Sequence, residues 1–347
     1  MTSARMIMTC VMTQKIFLVL VLVFKLVDGV YLPQSEDGIL SFLALGDWGG
    51  VSFTPYTTPD ELGCANQMGA IAKRINSTFV LALGDNFYDF GIRTDAHDKR
   101  FKETFEDVFT AQSLQTPWYI IAGNHDWRGN VTAELEYTKL SKRWTFPSLY
   151  YAFNHTIPGT KVKVAFIMLD TQVLCSILDE FSTPEELAGP LDKIAAEKEW
   201  QWVEEQLKAT QSADYVIVAG HYPVWSIAEH GPTDCLVSRL RPLLIKYNVS
   251  AYFSGHDHNL QHLREDNLTV DYFVIGAGHI IDTSESHKDS VPHNSLKFHY
   301  ADIAGKGGFA YVQTTPKSMR LIFSDGLAGK DLYSAEIRPR SKVTRLN

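Results

Sequence analysis

Apolar runs that end in polar residues alternate with helical patterns along most of the chain. The runs predict buried strands, at 40–50, 79–88, 118–127, 162–171, 215–224 and 250–259. Between them, apolar residues spaced three or four apart predict helices, at 58–76, 97–110, 196–209 and 236–248. Three final runs, "DYFVIGAG", "GFAYVQTT" and "SMRLIFSD", predict strands without intervening helices. This order predicts an α/β fold in which a sheet sandwich has helices on its outside.

The first predicted helix has one apolar face and a clear start. Thr58 or Asp60 would cap its amino end, because short polar side chains bond the free N–H groups there. The residues expected to pack inward are Leu62, Met68, Ile71 and Ile75.

The N-terminal segment has the order of a secretory signal peptide. Arg5 and Lys15 precede the apolar run 16–24, and Val27 and Gly29 suit a cleavage site. A membrane anchor is the alternative, but a span needs about 20 apolar residues, and this run is shorter. We therefore expect a signal peptide at 1–29, a single domain at 30–347 and no stable membrane anchor.

Charge and cysteine content narrow the function further. The formal net charge of −8 disfavours nucleic acid as a partner, because phosphate backbones attract clustered Lys and Arg. Secretion implies oxidising conditions, under which Cys64, Cys175 and Cys235 allow one bridge and one free thiol. N-x-[ST] sequons make some glycosylation expected, with candidates at Asn76, Asn130, Asn154, Asn248 and Asn267.

Five of the predicted strands end at side chains that can bind metal ions. In each case a glycine directly precedes the first such residue, which lets the backbone turn sharply. The residues are Asp47, Asp85, Asn124 with His125, His221, and His256 with His258. Taken singly, an aspartate here is usually a turn residue and a histidine usually a hydrogen-bonded core residue. Turn chemistry does not require all five together, and parallel strands would bring them to one edge.

The types of side chain indicate which metals would bind. Aspartate, asparagine, histidine and Tyr88, which follows Asp85, are hard or borderline ligands, and there is no cysteine cluster for structural zinc. Seven ligands are too many for one ion with an open position, but they suit two ions that share a carboxylate. Two ions roughly 3.5–4 Å apart commonly serve in-line displacement at phosphorus.

The ordered set "GDWGG", "GDNFY", "GNHD", "GHYPV" and "GHDHN" resembles the purple acid phosphatases, most closely their small mammalian-type branch. The similarity runs from about residue 40 to about residue 335. It implies a calcineurin-like metallophosphoesterase β-sandwich with flanking helices, with the metal site at the carboxyl ends of the strands. It also implies a monomer.

The resemblance assigns each candidate ligand to one of two metal ions. It places Fe(III) with Asp47, Asp85, Tyr88 and His258, and Fe(II) with Asp85, Asn124, His221 and His256. Asp85 would bridge the two ions, and zinc or manganese would also suit the second site. A hard phenolate such as Tyr88 would keep its iron ferric. The branch's disulfide matches Cys175 and Cys235, which leaves Cys64 as a buried helix residue.

The implied activity is that of a secreted acid phosphatase acting on phosphate monoesters, including phosphoproteins. A metal-bound hydroxide would attack phosphorus in line, and His125 and His230 would bind phosphate oxygens or protonate the leaving group. Which histidine is the main acid stays open, as does an extracellular or lysosomal destination. The acidic stretch 176–190 matches a protease-sensitive loop of the branch but has no Lys or Arg, so regulation by a trypsin-like cut is in doubt.

Three other functions remain open at this stage. Other two-metal phosphoesterases, which act on diesters, nucleotides or phosphoproteins, share these strand ends but lack the tyrosine, so Tyr88 argues against them. A secreted iron-binding glycoprotein with incidental phosphatase activity would keep the same ligands. An exposed iron pair that changes oxidation state could also generate oxygen radicals.

Overall fold

The computed structural model describes residues 38–175 and 192–340. The predicted signal peptide at 1–29 and the acidic stretch 176–190 lie outside the described residues. The described chain forms two mixed seven-stranded sheets that pack face to face with helices outside them. This is the predicted α/β sandwich.

The first sheet joins parallel strands on one side to an antiparallel set on the other. Its strands in spatial order are β14 (Asp331–Ile337), β13 (Met319–Asp325), β12 (Gly308–Thr314), β1 (Leu40–Leu45), β2 (Val80–Leu83), β3 (Trp118–Ile121) and β4 (Trp144–Thr145). Strands β1 to β4 are parallel to one another, and β12 pairs antiparallel with β1.

The second sheet repeats this plan. Its order is β11 (Leu296–Tyr300), β9 (Leu260–Leu263), β10 (Asp271–Ile275), β8 (Ala251–Ser254), β7 (Tyr215–Ala219), β6 (Lys163–Met168) and β5 (Tyr151–Thr156). The central strands β6, β7, β8 and β10 are parallel. Strands β4, β5, β9, β11 and β14 were not expected from the sequence.

Aromatic side chains fill the space between the two sheets. Phe42 and Phe79 of the first sheet face Phe166 of the second, with ring centroids 5.5 and 5.4 Å apart. All three side chains are fully buried. Burial of this apolar surface is the main force that holds the sheets together.

Helices cover the outer faces of the sandwich. They are α1 (Pro59–Ile75), α2 (Asn124–Trp127), α3 (Val131–Tyr137), α4 (Thr171–Cys175), α5 (Lys193–Ala209) and α6 (Arg241–Lys246). Helix α1 packs on the first sheet, while Trp200, Val203 and Leu207 of α5 pack on the outer face of the second. In the described residues, no helix has the length and apolarity to cross a membrane.

Helix α1 matches its predicted bounds, but one predicted core residue is wrong. Thr58 is the cap, since its hydroxyl accepts from the Glu61 N–H while the Glu61 carboxylate accepts from the Thr58 N–H. Leu62 is 43% exposed. The buried face holds Met68 and Ile71, as predicted, together with Cys64 and Ala65.

The predicted helix at 196–209 is found as α5 (Lys193–Ala209), whereas the other two differ more from the structure. Only Phe101–Glu106 of 97–110 is helical, in wider π turns, and 236–248 divides into a π-helical Leu236–Leu240 followed by α6. A local cause explains why residues 95–100 form turns instead of the first turn of the predicted helix. Asp95 accepts from the His97 N–H and Asp98 from the Arg100 N–H, and such bonds compete with helix formation.

The cysteines are arranged as the resemblance implies. Cys175 and Cys235 form a disulfide with Cα atoms 5.7 Å apart, and Cys64 is a fully buried free thiol. The sequons stay predictions. Their asparagines are all at least partly exposed, namely Asn76, Asn130, Asn154, Asn248 and Asn267.

Candidate metal centre

The five predicted strand ends meet at one edge of the sandwich. In the first sheet, Leu45 pairs with Ala82 and Leu83 with Ile121, so β1, β2 and β3 end side by side. In the second sheet, Ala219 of β7 pairs with Phe253 of β8. The polar residues that follow these strands therefore converge from both sheets.

The preceding glycines are needed because the backbone passes very close to the carboxylates. A Cβ atom at Gly123 would lie 2.2 Å from Asp85 Oδ1, and one at Gly255 would lie 2.2 Å from Asp47 Oδ2. The two aspartates themselves have left-handed backbones, with φ of 56° at Asp47 and 52° at Asp85. Non-glycine residues adopt this conformation at a cost, which is common at functional sites.

One group of side chains surrounds the Tyr88 hydroxyl. The hydroxyl oxygen lies 3.1 Å from Asp47 Oδ1, 3.1 Å from Asp85 Oδ2 and 2.9 Å from His258 Nε2. His258 Nε2 is also 3.6 Å from Asp47 Oδ1. Asp47, Asp85 and Tyr88 are at most 2% exposed. These four side chains are the predicted ferric ligands, and the structure brings them together.

A second group surrounds His221 Nε2. That atom lies 3.0 Å from Asn124 Oδ1 and 3.3 Å from Asp85 Oδ2. Ligand atoms of Asp85, His221 and His256 all lie within 4.8 Å of one another. These are the predicted ligands of the second ion. Asp85 touches both groups, which is the position a bridging carboxylate requires.

The bonding of His221 fits a cation at this point. Its Nδ1 lies 2.8 Å from the Leu83 carbonyl oxygen, to which it donates. When the ring is neutral, its Nε2 atom carries a lone pair that faces two further acceptors, on Asn124 and Asp85. These three atoms need a positive charge between them, which a proton on Nε2 or a metal ion supplies. This set of ligand atoms therefore fits a metal ion, and the hydrogen bond to Leu83 fixes the orientation of the ring.

The electrostatics of the site point the same way. Burial alone would raise the pKa of Asp85, but His221 and His125 outweigh it and hold that pKa well below its ordinary value. Burial lowers the pKa of His221, whereas Asp85 and Asp47 raise it to about 10. Burial and the same two carboxylates raise the pKa of Tyr88 well above its usual value. The carboxylates thus create a strong demand for positive charge.

The two candidate acids lie beside different candidate ligands of this site. His125 is 19% exposed, and its Nε2 lies 4.0 Å from Asp85 Oδ2. His230 is exposed, and its ring stacks on that of His256 with centroids 4.1 Å apart. The His230 N–H donates to Asp257 Oδ1 at 3.0 Å. Both histidines line a cleft of about 850 Å³ that opens onto Asp85 and Asn124.

Two further residues of the site were missed in the sequence. His279 stacks on Tyr88 with ring centroids 4.2 Å apart. It follows Gly278 after strand β10, so the glycine-then-histidine signal used elsewhere would have found it. Arg128 lines the cleft with Nη1 3.3 Å from His125 Nδ1. No sequence signal marks Arg128, because it lies within the loop after α2.

Comparisons with known proteins agree with this geometry. The family model described as calcineurin-like phosphoesterase matches residues 40–260. Tartrate-resistant acid phosphatase type 5 of Oryctolagus cuniculus is 47% identical over 325 residues, which cover 93% of this chain and 98% of the relative. Purple acid phosphatase 17 of Arabidopsis thaliana is 31% identical over 302 residues, 84% of this chain and 83% of the relative. The chain belongs to the purple acid phosphatase family.

Membership of the purple acid phosphatases confirms the predicted family, fold and enzyme class. The chain is an acid phosphatase of the metallophosphoesterase fold, and its family implies a binuclear metal centre. The solved structure of GAP50, "the anchor in the inner membrane complex of Plasmodium", superposes with a TM-score of 0.74 at 24% identity. That match covers 89% of this chain and 91% of the other, and it shows the shared fold alone.

Proposed function

We propose that this purple acid phosphatase is a secreted enzyme that hydrolyses phosphate monoesters, including phosphoproteins, at an Fe(III)–M(II) pair. The arrangement around Tyr88 carries this proposal. A phenol between two buried carboxylates and a histidine is a set of hard ligands suited to a ferric ion. Iron is the expected second metal, and Asp85, Asn124, His221 and His256 would also accept zinc or manganese.

The metal pair would activate a water molecule at acidic pH. The surrounding residues hold the ligand side chains in position. Asp85 holds the two ligand groups in register because one carboxylate contacts both, and its Oδ1 is fixed by the backbone N–H of His125 at 2.9 Å. Leu83 and the His221 ring keep the nitrogen lone pair directed into the site. Little ligand movement would then be needed when metals bind.

His125 and His230 are proposed to handle the substrate. His125 is held by the Asp89 carbonyl oxygen, 2.7 Å from its Nδ1, so its Nε2 faces the bridging carboxylate. His230 is held against His256 by stacking and stands at the open side of the cleft. From these positions His125 suits binding of a phosphate oxygen. The more exposed His230 suits protonation of the leaving group as it departs.

Two other functions would use the same residues but differ in how well the protein hydrolyses phosphate esters. An iron-binding glycoprotein or a radical-generating redox protein would carry the same ligands without efficient turnover of phosphate esters. The cleft of about 850 Å³ beside the ligands favours hydrolysis, because a carrier of iron needs no substrate space. We also propose that the protein is a monomer that enters the secretory pathway and ends outside the cell or in a lysosome.

A metal analysis combined with a visible spectrum tests this proposal. We expect about two metal ions per chain, an intense purple or pink band, and turnover of an aryl phosphate at acidic pH. Tyr88→Phe should lose or strongly shift the band while metal remains bound, because the phenolate–iron(III) contact is its source. A colourless active protein would instead indicate a different two-metal phosphoesterase. A coloured protein without turnover would favour the iron-carrier assignment.

A further inference from the structure

A second cavity lies beside the metal cleft and shares no lining residue with it. It has a volume of about 610 Å³. Its walls come from the loop after β1 and from the segment 90–100. We call it the cationic pocket, and the lining residues that matter are Tyr56, Phe90, Arg93, Asp98, Lys99 and Arg100.

The cationic pocket is positively charged although the chain carries a net charge of −8. Three of its lining residues are cations and one, Asp98, is an anion. The Asp98 carboxylate is already engaged, since it accepts from the Arg100 N–H at 3.0 Å and from the Thr94 hydroxyl at 2.8 Å. The net charge of the lining therefore favours an anionic ligand.

The exposed cations are held beside aromatic rings. The Arg93 guanidinium lies 5.7 Å from the centre of the Phe90 ring, and Lys99 Nζ lies 4.3 Å from that of Tyr56. Lys99 has a weak carboxylate contact, with Glu103 at 3.7 Å. Arg93 forms no ion pair with any residue of the ranges 38–175 and 192–340. It is an oriented positive charge that a ligand could neutralise.

The base of the cationic pocket is rigid and is joined to the metal centre. Arg100 is 7% exposed, and it donates to the carbonyl oxygens of Tyr88 and Gly49, both at 2.7 Å. Asp89, the residue after Tyr88, connects the two cavities. Its carbonyl oxygen lies 2.7 Å from His125 Nδ1, and its carboxylate accepts from the Ser52 hydroxyl at 2.8 Å.

The separation of the two sites suits one extended peptide. Tyr88 and Gly91 are three residues apart, so their Cα atoms are at most about 11 Å apart. A peptide with its phosphorylated residue in the metal cleft would reach the cationic pocket within a few further residues. Exposed Phe90, at 45%, gives apolar contact area next to the cations.

We propose that the cationic pocket is a docking site for an acidic segment of a phosphoprotein substrate, located a few residues from the phosphorylated side chain. This inference rests on the proposed phosphatase activity towards phosphoproteins. Carboxylates of the substrate pair with Arg93 and Lys99, while Arg100 holds the pocket floor in place. The pocket offsets the repulsion that a chain of negative net charge otherwise exerts on acidic proteins.

The test compares two phosphoserine peptides that differ only in flanking Glu or Gln residues. We expect the wild type to show a lower KM for the Glu peptide by about three- to ten-fold at low salt, since each exposed pair contributes a modest amount. The difference should shrink as salt is added. Arg93→Ser with Lys99→Ser should abolish it, and Arg93→Glu with Lys99→Glu should reverse it.

A matched variant controls for the loss of two positive charges. Lys317 is exposed in the turn after β12, and Arg320 is exposed at the start of β13. Thr314 pairs with Leu40, at the end of β1 that lies away from the metal centre. Lys317→Ser with Arg320→Ser should therefore keep the full preference for the Glu peptide.

A small aryl phosphate separates failure of this inference from failure of the proposed function. All variants should hydrolyse it at the wild-type rate, because none of the altered residues contacts the metal ligands. Normal turnover of the aryl phosphate with equal KM values for the two peptides in the wild type would overturn the docking site alone. An Arg93/Lys99 variant that retains the full preference would overturn it too. Absence of aryl phosphate turnover in the wild type would overturn the proposed function.

Discussion

The first sheet supplies the candidate oxygen ligands of the metal centre, and the second sheet supplies the candidate nitrogen ligands. The oxygen ligands, which follow β1, β2 and β3, are Asp47, Asp85, Tyr88 and Asn124. The nitrogen ligands, which follow β7 and β8, are His221, His256 and His258. Neither sheet alone holds a mixed set. Each metal ion would bind across the seam between the sheets, so metal binding and closure of this edge are coupled.

The two sheets also contribute one candidate acid each. His125 belongs to the first sheet and is partly buried, whereas His230 belongs to the second and is exposed. The carboxylates after the strands of the first sheet are buried, whereas His230 of the second sheet stands nearer to solvent.

Of the variants considered, Asp85→Ala should have the largest effect on the metal centre, because Asp85 contacts candidate ligands from both sheets. We expect loss of both metals and a fall in kcat of roughly 10³-fold or more, since metal ions contribute several kcal/mol to such reactions. Metal analysis and turnover of an aryl phosphate measure the two effects. Full metal content in this variant would remove Asp85 from its bridging role.

His230→Ala would test whether the candidate acid from the second sheet protonates the leaving group. We expect about a 10²-fold lower kcat with an alkyl phosphate, whose leaving group needs a proton. The effect should be much smaller with an aryl phosphate that has a good leaving group, and metal content should be unchanged. Equal losses with both substrates would argue against an acid role for His230 and favour His125.

Asp170→Asn tests a contact across the seam that involves no metal ligand. Asp170 follows β6 of the second sheet, and its Oδ2 accepts at 2.9 Å from Nε1 of Trp127, which lies in α2 after β3 of the first sheet. Burial raises its pKa from 3.8 to about 7. Above the unfolded-state pKa the folded protein retains a proton that the unfolded chain has lost, so the free energy of unfolding falls as the pH rises towards 7.

The melting temperature of the wild type should therefore be higher near pH 5 than near pH 7.5. We expect a difference of roughly 2–8 °C from this group, with the fold more stable under the acidic conditions in which the enzyme works. Asp170→Asn cannot ionise, so its melting temperature should vary less over the same interval. An identical pH dependence in both proteins would show that Asp170 does not control it.

The sequence predicted the strand ends better than it predicted the helices. Each candidate metal-binding corner combines a buried parallel strand, a glycine and a polar side chain, and all three leave a local signal. The prediction of a helix over all of 97–110 was wrong because Asp95 and Asp98 accept hydrogen bonds from nearby backbone N–H groups. The spacing of the apolar residues does not reveal these bonds. The prediction that Leu62 packs inward was wrong because Cys64 and Ala65, rather than Leu62, complete the buried face that Met68 and Ile71 form.

Contacts between distant segments explain what else was missed. The stacking of His279 on Tyr88 joins the ends of β10 and β2, which lie in different sheets. Arg128 reaches the cleft only because α2 is a single turn. The short edge strand β4 has two residues, too few to show a period. These features depend on how the sheets pack, and a single sequence does not display that.

Because Cys64 is buried, the reactivity of its thiol reports local opening of the fold. Its sulfur lies between α1 and the backbone of the 306–307 turn, where an added Cβ at Gly307 would come within 2.8 Å. Burial raises the pKa of this thiol, so little reactive thiolate forms while the helix stays docked. The rate at which a thiol reagent labels Cys64 therefore reports how often α1 separates from the first sheet.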